Sequence, residues 1–288
     1  MTSFPPRSAL YIPASNTRAL EKAPSLPCDG VIIDLEDAVH PNARDEAREQ
    51  MRTAAKSWPS RPRRLAVRIN PLQSEWGTED LISALAIRPD AIVLPKAEAP
   101  QEITALSEAF NEFDLTVRPQ IWAMLETPRG ILNAPAMAEL GLHQRHGLAA
   151  FIAGTNDLAK ATGVRSAEAM QPWLMQIVLA ARAGGLAVLD GVYNDFNDTK
   201  GFEATCHTAR NCGFDGKTLI HPSQIGPANR IFAPSADEVA EANGIKAAFA
   251  APENAGKGVT SLNGRMIERL HLEQAEAILA RANHSQME

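Results

Sequence analysis

Glu126 and Asp157 are the residues whose type and setting promise chemistry. Ile121-Trp122-Ala123-Met124-Leu125 leads into Glu126-Thr127-Pro128-Arg129-Gly130, and Leu148-Ala149-Ala150-Phe151-Ile152 leads towards Gly154-Thr155-Asn156-Asp157-Leu158. An acid just beyond a buried strand faces the rim of a sheet, and two acids on consecutive strands face the same rim. A sparse set of carboxylate oxygens, completed by water and substrate oxygens, is what Mg2+ prefers. The pair is read as metal ligands; either acid alone would be equally well explained as a helix cap.

The other strand ends add charge: Asp34-Leu35-Glu36-Asp37-Ala38, Val67-Arg68-Ile69-Asn70, Leu94-Pro95-Lys96 and Ile220-His221-Pro222. Desolvating such a ring is costly unless it binds something. Arg68 lies inside an apolar run with no acid beside it in sequence, and its planar fork suits a carboxylate or an enolate oxygen. Glu36 and Asp37 admit two readings, as acids holding metal-bound water or Arg68, or as a charge pair at a helix start. Lys96 invites a Schiff-base reading, as in a metal-free aldolase, but so many acids favour a protonated, salt-bridged lysine. His221 reads as a hydrogen-bonding histidine rather than a base. Cys206 and Cys212 share one predicted helix and read as packing residues, and neither a Gly-x-Ser-x-Gly elbow nor a P-loop is present.

Positioning these groups requires a repeated frame. Apolar runs at 9–13, 30–35, 65–70, 91–95, 120–125, 150–153, 186–191 and 217–220 alternate with helical periodicity. Helices are predicted over 42–58 and 169–183, and Thr78-Glu79-Asp80 reads as an N-cap with first-turn acids. Continuous apolar strands joined by helices imply parallel strands buried on both faces, hence a (β/α)8 TIM barrel over residues 1–234. An open doubly wound sheet is the alternative, disfavoured because no Gly-x-Gly-x-x-Gly turn follows the first run. Residues 235–288 form an appendage with helices at 235–250 and 270–282 and a Gly-rich middle through Gly256, Gly258 and Gly264. It reads as a helical lid, a subunit-swapped arm or a packing tail.

The chain has 28 basic and 34 acidic residues, a formal net charge of -6, which argues against broad nucleic-acid binding. Three cysteines without a C-x-x-C pair indicate neither a disulfide framework nor a zinc site. With neither a signal pattern nor a membrane-length apolar run, a soluble cytoplasmic protein is expected.

Several ordered motifs together carry a resemblance: Arg7-Ser8-Ala9-Leu10-Tyr11-Ile12-Pro13-Ala14, Asp34-Leu35-Glu36-Asp37-Ala38-Val39, Val67-Arg68-Ile69-Asn70, Leu94-Pro95-Lys96, Leu125-Glu126-Thr127, Gly154-Thr155-Asn156-Asp157-Leu158, Gly213-Phe214-Asp215-Gly216-Lys217 and Ile220-His221-Pro222-Ser223-Gln224-Ile225. The chain resembles the citrate lyase beta-subunit-like barrels that include malyl-CoA and citramalyl-CoA lyases, over nearly its whole length. The resemblance implies Mg2+ on Glu126 and Asp157 with Arg68 contacting substrate beside it. It further implies that Tyr11, Arg18 and Lys22 help bind a CoA ester, with the Ile220-His221 turn near the same ligand.

The family often carries Gly-Lys-Met-Ile-Asp in its C-terminal arm, where this chain has Gly264-Arg265-Met266-Ile267-Glu268. Glu268 is then the candidate base, reaching a neighbouring subunit's site, with Asp37 as the fallback. The expected activity is carbon–carbon cleavage of a 3-hydroxy-3-carboxyacyl-CoA to an acyl-CoA and a 2-oxo acid. The alternatives are a citrate lyase beta subunit that needs partner subunits, and a metal-dependent aldolase for free hydroxy-oxo acids releasing pyruvate. A homotrimer or a pair of trimers is expected.

Overall fold

The computed structural model describes residues 4–60 and 62–286; the outermost residues of the two expected domains, 1–3 and 287–288, lie outside them. Eight parallel strands among the described residues close into a barrel in sequential order. They are β1 (Ser8–Pro13), β2 (Gly30–Asp34), β3 (Leu65–Arg68), β4 (Ala91–Leu94), β5 (Gln120–Leu125), β6 (Leu148–Ala153), β7 (Ala187–Asp190) and β8 (Gly216–Leu219). β2, β3, β4 and β8 are buried along their whole length, as strands flanked by a filled interior and a shell of helices must be. The predicted runs at 30–35, 65–70 and 91–95 end one or two residues beyond β2, β3 and β4.

Inside the barrel, Ala9, Ile32, Ala66, Ala91, Val93, Trp122, Met124, Ala150, Ile152 and Leu189 form one cluster. Small alanines beside the large Trp122 let the layers fit a closed cylinder. The intervening residues Val31, Ile33, Val67 and Ile92 are also buried, on the face that meets the helices.

The helices that follow the strands are α1 (Thr17–Lys22), α2 (Arg44–Ser57), α3 (Gly77–Ala86), α4 (Pro100–Ala109), α5 (Pro128–Ala138), α6 (Thr155–Thr162), α7 (Ala167–Ala183), α8 (Thr199–Asn211) and α9 (Ile225–Phe232). α2 begins later than predicted because Pro41–Ala43 forms a separate 3-10 turn, and α7 begins earlier, on the side-chain cap of Ser166.

Thr78 is not the cap of α3, which starts at Gly77 without a side-chain cap. Asp80, expected to act through the helix dipole, is fully buried. It accepts hydrogen bonds from Arg48 Nη1 at 2.8 Å, Asn70 N at 2.9 Å and Asn70 Nδ2 at 2.6 Å. It thereby ties α2 and α3 to the end of β3, two residues beyond Arg68. Asp80→Ala, which takes from Arg48 its buried partner and leaves it the exposed Asp45, is expected to lower stability by about 3–5 kcal/mol, measured by urea unfolding.

The chain divides into two compact units, Pro5–Asn229 and a second comprising Arg230 onward with Phe4. The second contains α10 (Ala236–Ala250), β9 (Val259–Leu262), β10 (Arg265–Glu268) and α11 (Arg269–Gln286). Ser235 and Glu238 form a capping box at the start of α10. The Gly-rich middle is partly a hairpin: β9 and β10 pair antiparallel across Asn263-Gly264, with φ of 50° and 76°. Two left-handed residues make the tight turn whose twist suits a hairpin.

Candidate functional site

Side chains alternate along a strand, so residues at every second position beyond the interior cluster continue upward into the barrel mouth. Ala9 is followed by Tyr11 and Pro13, Ile32 by Asp34, Ala66 by Arg68, Met124 by Glu126 and Ile152 by Gly154. Tyr11, Pro13, Asp34, Arg68, Met124, Glu126 and Gly154 line a cavity of about 340 Å³ that also touches Asp37, Asn156, Asp157, Asn194, Thr218 and Ile220. That volume falls in the range of small-molecule pockets.

Arg68 is buried and sits opposite Asp34 in the β2–β3 register. Its Nε donates to Asp34 Oδ1 at 2.7 Å and its Nη2 to Oδ2 at 2.6 Å. The sequence left Arg68 without an adjacent acid; the acid comes from the neighbouring strand. Nη1 lies 3.0 Å from Glu36 Oε2 and 3.3 Å from Asp37 Oδ2. Burial works against the guanidinium charge, but Asp34 outweighs it and holds the group protonated well above its ordinary range. The guanidinium also stands 5.1 Å from the ring centroid of Tyr11. The Tyr11 hydroxyl donates to Met124 Sδ at 3.4 Å, and burial pushes it far up, so it stays neutral.

Glu126 is 2 % exposed and burial raises its carboxyl above the usual range. It does not cap the following helix, since Thr127 caps α5 by accepting from Gly130 N at 3.0 Å. Instead its Oε1 accepts from Lys96 N at 2.7 Å. The other side of the carboxylate lies against Gly154, where a Cβ would meet Glu126 Oε2 at 2.4 Å and Glu126 Cβ at 2.3 Å. Gly154→Ala is expected to displace the carboxylate and weaken divalent-ion binding at least tenfold, read by calorimetry. Asp157 stands in the first turn of α6 and is a third exposed.

Glu36 and Asp37 both approach Arg68, the first of the two readings left open by the sequence. Glu36 is buried, pairs with Arg68 and with Lys96 Nζ, and burial pushes it up to about 7 against the pull of both cations. Asp37 is more open; despite partial burial, its hydrogen bond with Glu36 and the charges of Arg68 and Lys96 hold it below the usual range. Asp37 is therefore held ionised at the cavity.

Five carboxylates (Asp34, Glu36, Asp37, Glu126, Asp157) thus share two cations, Arg68 and Lys96. The excess of negative charge fits a divalent cation. No group of three or more His, Cys, Asp or Glu side chains able to hold a metal occurs among the described residues, so an ion on Glu126 and Asp157 would take its remaining ligands from substrate and water. That is the donor set Mg2+ tolerates, and it does not suit a closed zinc site.

At the mouth, Ile220 is exposed and His221 Nδ1 lies 2.8 Å from Ser223 Oγ. The His221 ring stacks on Phe196 at 4.7 Å between centroids, a partner the sequence did not reveal. Asn156 and Asn194 exchange hydrogen bonds of 3.2 and 2.9 Å. Arg18 and Lys22 are exposed on α1 and do not line the cavity. Glu268 ends β10 in the second unit, where its N–H donates to His271 Nδ1 at 2.9 Å; the cavity lining is drawn wholly from the barrel. Cys206 is buried and unpaired, as a packing residue would be, and Cys212 falls just after α8.

A family model described as HpcH/HpaI aldolase/citrate lyase matches residues 7–222. A (3S)-malyl-CoA thioesterase of Cereibacter sphaeroides is 43 % identical, the match covering 97 % of this chain and 95 % of the relative. Mitochondrial citramalyl-CoA lyase of Homo sapiens is 32 % identical over 95 % of this chain and 84 % of its own. Among solved structures, the protein CitE from Mycobacterium tuberculosis, in complex with magnesium, acetoacetate and coenzyme A, superposes with a TM-score of 0.78 at 28 % identity, covering 98 % of this chain and 99 % of that one.

Proposed function

We propose, for a chain that belongs to the HpcH/HpaI aldolase/citrate lyase family, that it cleaves the carbon–carbon bond of a 3-hydroxy-3-carboxyacyl-CoA of the malyl or citramalyl type, giving an acyl-CoA and a 2-oxo acid. The observation that carries this reading is the Arg68 guanidinium, locked by Asp34 at the floor of a cavity that also contains Glu126 and Asp157. Glu126 and Asp157 would hold Mg2+, the ion bound in the M. tuberculosis relative. When bound, it supplies Lewis acidity to the carboxylate and hydroxyl oxygens of the substrate.

The chain's own residues do the rest. Removing the hydroxyl proton lets the carbon–carbon bond break, its electron pair passing into the thioester as an enolate. Arg68, preorganised by Asp34, faces the negative charge that develops there. The proton acceptor is Glu268 from a neighbouring copy in a trimer, or Asp37, which is ionised and lines the cavity. Arg18 and Lys22 meet the phosphates of the CoA ester, while Tyr11, Ile220 and His221 border its acyl end.

A second reading, hydrolysis of the thioester, is favoured by the 43 % identical malyl-CoA thioesterase. The two differ in their products. With malyl-CoA, citramalyl-CoA or citryl-CoA, the lyase gives an acyl-CoA and an oxo acid in equal amounts. The hydrolase gives free CoA thiol and the intact hydroxy acid. Thiol titration alongside oxo-acid assay separates them, and product formation by neither route moves the chain to a subunit that needs citrate lyase partners.

A further inference from the structure

Lys96 stands one residue past the alternation that carries Ala91 and Val93 into the barrel, so a continued strand would send its side chain outward to the helices. Its backbone instead adopts φ 49°. A residue with a Cβ is rarely found in this left-handed region, which costs it roughly 1 kcal/mol or more and costs glycine little. The turn does two things at once. It aims the Lys96 N–H at Glu126 Oε1 at 2.7 Å, and it swings the side chain back across the rim, where Nζ pairs with Glu36 and lies 3.5 Å from Asp37 Oδ1 and 3.9 Å from Asp157 Oδ2. Glycine could make the N–H contact with less strain. The lysine side chain is what the strain serves.

One residue therefore touches both carboxylates assigned to the metal, one through its main chain and the other through a positive charge. We propose that Lys96 is a positioning residue that sets the strength of divalent-cation binding: its ammonium competes for Asp157 and shares the field of Glu36 and Asp37, keeping the ion weakly held and exchangeable. Without the ion, the ammonium offsets the mutual repulsion of the rim acids. With it, the ammonium retains Glu36 as its partner. This inference rests on the metal assignment to Glu126 and Asp157 but not on the reaction catalysed.

The test is calorimetric titration of the full-length protein with MgCl2, without substrate, at low ionic strength and again in high salt. Lys96→Met removes the charge and keeps most of the length. It is expected to bind Mg2+ about tenfold tighter or more, because an ammonium 3.9 Å from Asp157 Oδ2 opposes a second cation on the same carboxylate. The gain should shrink as salt screens the charge. Lys96→Gly, which also relieves the backbone, is expected to tighten binding similarly and secures the test should the methionine variant misfold. Lys96→Arg should stay within about threefold of the parent, and Lys160→Met, the same change of net charge on α6, should do likewise. Parent-like or weaker Mg2+ binding by both the methionine and glycine variants overturns the inference and leaves the metal assignment standing. If the parent binds no Mg2+, or Glu126→Gln binds it as the parent does, the metal assignment and the inference fall together.

Discussion

Glu126→Gln is expected to bring Mg2+-dependent turnover down by about a thousandfold or more while the barrel stays folded. The side chain is 2 % exposed, and the amide keeps its volume and can still accept from Lys96 N. What is lost is one of the two carboxylates proposed to hold the divalent ion, and with few protein ligands each would supply much of the binding energy. Lewis-acid assistance to charge development is worth several kcal/mol, which sets the size of the loss. Removing a carboxylate that burial already disfavours in its ionised form costs the metal-free protein little stability. Steady-state kinetics and thermal unfolding measured on one preparation check both halves.

The second large effect falls on Arg68, where chemistry and stability should fail together. Arg68→Ala leaves Asp34, 1 % exposed, as a buried carboxylate without its fork. Breaking a buried pair from one side typically costs about 3–5 kcal/mol, so denaturant unfolding should move by that amount. Turnover should fall by roughly a hundred- to a thousandfold, the usual cost of one oxyanion-stabilising donor. Arg68→Lys separates the two contributions. It returns positive charge to Asp34 and recovers much of the stability, but a point charge cannot reproduce the bidentate geometry. Its turnover should remain near that of the alanine variant.

These expectations show what a sequence exposes and what it hides. The barrel was legible because strands buried on both faces must be continuously apolar, and there were eight of them. Glu126, Asp157, Arg68 and Asp37 were legible because each is a charged residue at the end of such a run, and the structure gathers all four around one cavity. Pairing across strands was not legible. Asp34 lies in one of the quoted motifs, yet only the β2–β3 register makes it the counter-ion of Arg68. Gly154 could be read as a loop residue, but its reason is the Glu126 carboxylate that occupies the space of a Cβ. Lys96 was placed correctly as a salt-bridged lysine, while its left-handed backbone and its amide contact with Glu126 depend on a turn that periodicity does not reveal. The Asn263-Gly264 hairpin had a signal, two turn residues between short strands, which was overshadowed by the neighbouring glycines.

Glu268 lies outside the barrel strands. The motif around it motivates its role as base, and in the second unit it ends a hairpin strand directly before α11. Reaching the site of a neighbouring copy requires self-association. That requirement makes the mass of the active species informative about which acid takes the proton.

Cation-dependent cleavage of a malyl-type CoA ester at Glu126 and Asp157, as proposed, is tested by product release after metal removal. The purified chain is stripped with EDTA and given malyl-CoA or citramalyl-CoA, and the acyl-CoA and 2-oxo acid are quantified before and after Mg2+ is restored. The account predicts that both products appear together, only with Mg2+, and not with Glu126→Gln. Equal cleavage in EDTA, or Mg2+-restored cleavage by the Glu126→Gln variant at the parent rate, would contradict it.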